Sequence, residues 1–202
     1  MDKRLFLPEP WFAEDSKARR TKCHGPEDAK LHTKPQLAAA MLQAMAHEGL
    51  VPFKYVVADC VYGNSPAFLD AVDACVGVTA LVAISSETRC WLQAPRTTDK
   101  RYMYKGALRS KRVVVGSDHA PCTVAALAAR LPTSSWYRRK VSEGTKGPIE
   151  YAFARQRVTL AKEGLPERTV WLVIKRTSGA EPVYSSAMSH APVSTPLRTF
   201  VW

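Results

Sequence analysis

Between residues 55 and 84 the chain switches from one kind of apolar pattern to another and back, and this limits the architectures open to it. Tyr55-Val56-Val57-Ala58 is a short apolar run rich in β-formers, without alternation. Such a run predicts a strand covered on both faces, as in a parallel sheet. Asp59-Cys60-Val61-Tyr62-Gly63-Asn64 then makes a turn. Ser65 caps and Pro66 opens a helix that carries Phe68, Leu69, Val72 and Val76 on one face, with Gly77 to close it. Thr79–Ile84 reads as a second buried strand. A strand–helix–strand unit of about thirty residues predicts two parallel strands joined by a right-handed crossover.

Upstream, residues 4–7 form a short apolar run stopped by Pro8, the expected end of a strand. Residues 10–22 predict a helix opened by Pro10, with Trp11 and Phe12 as anchors. Thr33 as N-cap, Pro35 in the first turn, Leu37, Met41, Ala44 and Met45 at helical spacing and Gly49 as C-cap predict a further helix. Residues 1–85 therefore read as α/β.

Beyond Ser85 the reading is mostly β. Tyr102, Met103 and Tyr104 lead to Gly106, and Lys111 to Gly116 follow, a hairpin pattern. Residues 123–131 are Ala-rich with helical spacing and stop at Pro132. Residues 135–141 and 149–160 predict two strands joined through Glu143-Gly144-Thr145-Lys146-Gly147-Pro148. Residues 168–177 alternate as another strand, and 184–190 suggest one more. No repeat and no low-complexity segment interrupts this.

Charge divides along the same boundary. Net charge is +11 over 202 residues. Residues 1–85 hold nine basic and ten acidic side chains; residues 86–202 hold 20 basic and eight acidic. A basic second part predicts a polyanion-binding surface. With 46% apolar residues the chain can form a core, and no apolar run reaches the ~20 residues of a membrane span. The start lacks the apolar stretch of a signal peptide, so a cytoplasmic protein with no membrane contact is expected. Cys23, Cys60, Cys75, Cys90 and Cys122 are odd in number and contain no CxxC pair, which argues against a disulfide framework or a zinc knuckle.

Asp59 is the leading chemical candidate. It stands at the carboxyl end of a predicted buried strand, where open α/β sheets place ligands. It can equally serve as a turn aspartate capping backbone amides. Val61 occupies the position where a phosphatase-type second aspartate would be needed, so metal binding fits better than a phosphoryl-accepting nucleophile. A metal pair needs partner carboxylates. Asp70 and Asp73 on the following helix, and Glu143 and Glu150 beside a hairpin turn, read as solvated instead. The second candidate is a basic cluster: Arg138, Arg139 and Lys140 beside Trp136, then Lys146, Arg155, Arg157, Lys175 and Arg176. These side chains can neutralise phosphates, and Trp136 can stack on an unpaired base. On a strand, Arg155 and Arg157 point to one face. A solvated sheet face with Trp136 in the core is the plainer reading. The histidines show no ligand spacing.

Several stretches resemble bacterial insertion-sequence transposases of the DDE superfamily. They are Asp2 to Trp11, Thr33 to Ala38, Val56 to Asn64, Gly144 to Pro148, Leu165 to Leu172 and Ala191 to Thr195. They run nearly end to end and in order. The resemblance implies a partial ribonuclease-H-like core over residues 1–85 and a basic β-rich insertion over 86–202. It implies Mg²⁺ (or Mn²⁺) chemistry on double-stranded DNA, with two ions held by Asp, Asp and Glu. Asp59 matches the middle acid. A homodimer at element ends and a nucleoid-associated bacterial location follow from the same likeness. The first aspartate and the glutamate have no counterpart here, and the chain stops within an apolar pattern. An internal fragment, inactive alone, is therefore expected, with exposed strand edges and marginal stability in residues 1–85 and a better-ordered insertion. A basic nucleic-acid module without catalysis is the alternative. A small-molecule phosphotransferase with Asp59 as nucleophile is the third reading.

Overall fold

The computed structural model describes residues 3–26, 28–116, 120–145, 147–179 and 181–201. The chain forms two compact units: Met1–Val56 with Val61–Val78, and Val57–Cys60 with Thr79–Trp202.

The first unit is helical. Short 3₁₀ turns at Glu9–Phe12 and Glu14–Ser16 lead into α1 (Lys17–Lys22). The single helix expected over 10–22 is thus broken. Ala13 is extended (ψ 152°), and Arg20 folds the chain back by donating to the Trp11 carbonyl while its guanidinium lies 5.5 Å from the Phe12 ring. The strand expected at 4–7 does not form either. No neighbouring strand offers it a ladder among the described residues, and Leu5 is 60% exposed.

α2 (Lys34–Glu48) has the ends its sequence specifies. Thr33 and Gln36 form a reciprocal capping box, and Gly49 takes the left-handed C-cap conformation at φ 65°. A single turn, α3 (Cys60–Gly63), precedes α4 (Pro66–Asp73), whose Phe68 amide is capped by Ser65 Oγ at 3.4 Å. α4 packs on α2. Its buried face is Phe68, Ala71 and Val72. Val76 does not share that face, because the helix stops at Asp73 and leaves Val76 99% exposed.

An eight-stranded sheet makes up most of the second unit, with its first strand beginning at Tyr55 and Val56 of the first. Its strands are β1 (Tyr55–Ala58), β2 (Thr79–Ile84), β3 (Arg89–Trp91), β6 (Cys122–Thr123), β7 (Tyr137–Gly144), β8 (Gly147–Lys162), β9 (Leu165–Thr177) and β10 (Tyr184–Ser189). The order is β1-β2-β10-β9-β8-β3-β6, with β7 also on β8. β4 (Thr97–Tyr104) and β5 (Ala107–Val114) form a separate two-stranded ribbon, and α5 (Val124–Arg130) follows β6 under a Thr123 cap.

Two expectations about the strands around Asp59 need correction. β1 is an edge strand, not one covered on both faces: Tyr55 and Val57 are 61% and 68% exposed, while Val56 and Ala58 are half-buried. One neighbour and one covered face produce that alternation. β2 lies inside the sheet. It pairs antiparallel with β10, Ala83 opposite Ala187, so its second edge is filled by the β-rich part of the chain rather than exposed.

β8 and β9 are the spine, paired antiparallel over most of their lengths. Glu163 and Gly164 join them with both φ angles positive, as a tight turn of matching twist requires. One face buries Leu81, Trp171, Val173 and Ala187 under Ala191 and Phe200. The register sets Val158, Leu172, Ile174 and Met188 on the other face, all buried. Among the described residues, no helix is long and apolar enough to cross a membrane.

Candidate functional site

Asp59 follows β1 directly and precedes α3, so its backbone leaves the carboxyl end of a sheet strand and enters a helical turn. It belongs to the sheet unit and is exposed. A carboxylate in that place can ligate a cation or receive a hydrogen-bond donor from solvent. Among the described residues, no group of three or more His, Cys, Asp or Glu side chains comes together in a way that could hold a metal ion. Asp70, Asp73, Glu143 and Glu150 are all exposed, and Glu143 is paired with Lys140. These residues by themselves therefore do not fit a two-ion centre. They supply one carboxylate of the kind such a centre uses.

The basic cluster read from sequence is divided by the pleat. In an antiparallel sheet, directly opposed residues share a face. Arg139 is opposite Tyr151, Phe153 opposite Lys175, Arg155 opposite Val173 and Arg157 opposite Trp171, which puts Arg139, Lys175, Arg155 and Arg157 on one face. Arg138 and Arg176 are both opposite Ala152, and Lys140 is opposite Glu150, so these three lie on the other face. Lys146 lies outside the described residues.

Four cations on β8 and β9 are stacked on rings. Arg155 and Arg157 place their guanidinium carbons 4.4 and 5.4 Å from the Trp171 ring centroid. Arg155 also donates to the Thr195 carbonyl, while Trp171 Nε1 donates to the Pro192 carbonyl at 3.1 Å. Both arginines are half-buried, and Arg157 Nη1 is buried without a hydrogen-bond partner. The Lys175 amine lies 5.0 Å from the Tyr151 ring, and burial pushes its pKa below the usual lysine value. Arg176 lies 4.0 Å from the Trp136 ring centroid, and Tyr184 meets that ring edge-on at 6.1 Å. Trp136 is thus half-buried beneath a guanidinium, with its Nε1 buried and unpartnered.

Arg138, Arg139 and Lys140 differ from these. β7 leaves them exposed, with Arg139 Nη1 donating to the Arg138 carbonyl at 2.8 Å and Lys140 paired to Glu143.

Two features escaped the sequence reading. Cys90 and Cys122 are direct cross-strand partners. Burial, with the Cys122 thiol beside it, pushes the Cys90 thiol up to about 12. The second feature is the charge carried by the β4–β5 ribbon, the hairpin expected around Gly106. Its signal was visible as composition, since six Lys and Arg residues face one acid, Asp99, between Thr97 and Val114. What composition does not show is that these side chains stand exposed on a ribbon separate from the main sheet.

A protein-family model described as DDE superfamily endonuclease matches residues 1–148. No curated protein and no solved structure matches the chain. The matched stretch holds Asp59, the ribbon and Arg138 to Lys140, and it ends before Arg155, Arg157, Lys175 and Arg176.

Proposed function

This chain belongs to the DDE superfamily endonucleases, and from that premise we propose that it is part of an insertion-element transposase in which Asp59 is one of the carboxylates holding divalent metal. Membership carries a nuclease-type activity, a DNA substrate and divalent ions as properties of the class. The finer reading rests on one observation: an exposed aspartate at the carboxyl end of a sheet strand, within the matched stretch. Metal sites for phosphodiester chemistry need several oxygen ligands. Among the described residues no group of three or more His, Cys, Asp or Glu comes together, so in this reading the remaining ligands are supplied from outside them. Two copies would hold the two ends of an element.

Within the chain the residues divide by role. Asp59 holds its carboxylate where solvent and substrate have access. Arg138, Arg139 and Lys140 offer exposed cations to the DNA backbone. Arg155, Arg157, Lys175 and Arg176 hold the sheet around Trp171, Tyr151 and Trp136, and act on DNA only through the shape they maintain.

The test uses the reading frame extended into its flanking DNA. The extended protein cuts duplex DNA with Mg²⁺ or Mn²⁺ and stops when the metal is chelated. Asp59→Ala abolishes cutting and leaves duplex binding within about threefold. An alanine variant that cuts at the original rate overturns the assignment. A second reading, a DNA-binding module that performs no chemistry, is favoured by the absence of an acidic cluster among the described residues. It predicts binding indifferent to metal and no cutting by the extended protein.

A further inference from the structure

We propose that one face of the β4–β5 ribbon is a docking surface for duplex DNA, with Lys100, Arg109 and Lys111 set against phosphates. This rests on the DNA substrate of the proposed function and adds a surface that the reading of the β7–β9 region does not contain.

The pairing of the ribbon decides which side chains share a face. Thr98, Lys100, Tyr102 and Tyr104 are opposite Val113, Lys111, Arg109 and Ala107. Thr97, Asp99, Arg101 and Met103 are opposite Val114, Arg112, Ser110 and Leu108. The two faces differ in kind. The ribbon's one acid, Asp99, lies on the second face and pairs with Arg112 at 3.6 Å. The first face carries three cations, two tyrosines and no carboxylate. Lys100 and Lys111 stand directly opposite one another there.

Like charges in directly opposed positions destabilise a sheet pair. This ribbon has no third strand to offset that cost, since it is a two-stranded sheet of its own. Neither lysine forms an ion pair among the described residues. A face that concentrates positive charge at a local energetic cost is explained by a polyanion that neutralises it. The tyrosines fit the same partner: Tyr102 opposite Arg109 is 43% exposed and Tyr104 is 55% exposed, so both hydroxyls are available to phosphate oxygens.

Dimensions agree with duplex DNA. Eight residues per strand extend about 26 Å at ~3.3 Å per residue, close to seven or eight base-pair rises of ~3.4 Å. The major groove, ~12 Å wide, admits a two-stranded ribbon. Lys105 and Gly106, with φ of 48° and 76°, form a tight turn whose twist suits the strands, so the tip adds little width.

The test is fluorescence anisotropy of the 202-residue chain with a labelled duplex over a range of salt. The triple variant Lys100→Gln, Arg109→Gln, Lys111→Gln lowers the slope of log affinity against log salt by about 2.7, at roughly 0.9 per phosphate contact, which is a loss of ~10²-fold or more near 0.1 M salt. Arg101→Gln with Arg112→Gln, on the other face, leaves the slope within about 0.5 of wild type. Lys100→Arg with Lys111→Arg keeps it, which separates charge from folding. An unchanged slope in the triple variant overturns the docking surface, as does an equal loss per charge from the opposite face. Loss confined to single-stranded RNA or to anionic phosphatidylserine vesicles overturns it as well. Duplex binding that survives ribbon neutralisation leaves the proposed function intact. A wild-type chain and an extended protein that both fail to bind duplex overturn the two together.

Discussion

The central sheet and the β4–β5 ribbon carry cations of the same types in opposite physical settings. On β8 and β9, four cations lie over rings, while Lys162 pairs with Glu167 at 3.2 Å. Arg155 and Arg157 cover Trp171, Lys175 covers Tyr151 and Arg176 covers Trp136. Such contacts contribute about 0.5–2 kcal/mol each, and the long apolar stems cover core surface beneath them. On the ribbon, Lys100 and Lys111 oppose each other in solvent, and Asp99 answers Arg112 alone. The first group is held against aromatic rings. In the second, Lys100 and Lys111 stand in solvent without a ring or an ion pair among the described residues. Net charge counts both groups equally, so charge alone does not locate a binding face.

Four substitutions probe this contrast, beginning with the largest effect. Trp171→Ala removes the ring beneath two guanidinium groups and opens the cluster with Phe200, whose ring centroid lies 6.4 Å away. Burial of this kind predicts a loss of about 3–5 kcal/mol in urea unfolding. A loss below ~1 kcal/mol would show that the arginines do not depend on the ring.

Arg157→Met keeps the apolar stem and deletes a buried N–H that has no partner. The lost ring contact and the relieved desolvation oppose each other, so stability stays within about 1 kcal/mol of wild type. Destabilisation of ~3 kcal/mol or more contradicts the packing role assigned to the charge.

Lys175 supplies a pH signature. Burial lowers its folded pKa below the unfolded value, so the unfolded chain binds more protons between the two. Its contribution to stability therefore rises with pH from the folded pKa up to the ordinary value of about 10.5, and is lowest below that window. Subtracting the unfolding profile of Lys175→Met from that of wild type should isolate this rise; a flat difference breaks the comparison.

Lys100→Glu has the smallest effect on stability and the most informative sign. It turns an opposed like-charge pair into an attractive one, worth about 0.2–1 kcal/mol to the ribbon. Amide exchange within β4 and β5 should slow while duplex affinity falls. Slower exchange with unchanged affinity would remove DNA from the explanation.

Legibility in the sequence followed the range of the interaction. The α2 ends were readable because Thr33, Gln36 and Gly49 act within one turn of the helix. Alternation placed β9, and it put Arg155 and Arg157 on one face. The sequence does not state what lies opposite. Trp171 comes under Arg157 only through the β8–β9 register, which sets both arginines over its ring. The same limit applies to the strands. Tyr55–Ala58 has the composition of a buried strand, yet its burial depends on neighbours, and as an edge strand it exposes Tyr55 and Val57. Residues 4–7 had the composition without any partner strand among the described residues. Asp59 was legible as a strand-end carboxylate because its position is local. Which residues stand beside it depends on the fold and was not legible.

The most direct test of the contrast removes three charges from each region and compares the salt dependence of duplex binding. One variant carries Arg155→Met, Arg157→Met and Lys175→Met; the other carries Lys100→Gln, Arg109→Gln and Lys111→Gln. With cations sorted by packing, the sheet variant keeps the wild-type slope within about 0.5, whereas the ribbon variant loses about 2.7. A sheet variant that loses the larger slope while the ribbon variant matches wild type would contradict the account.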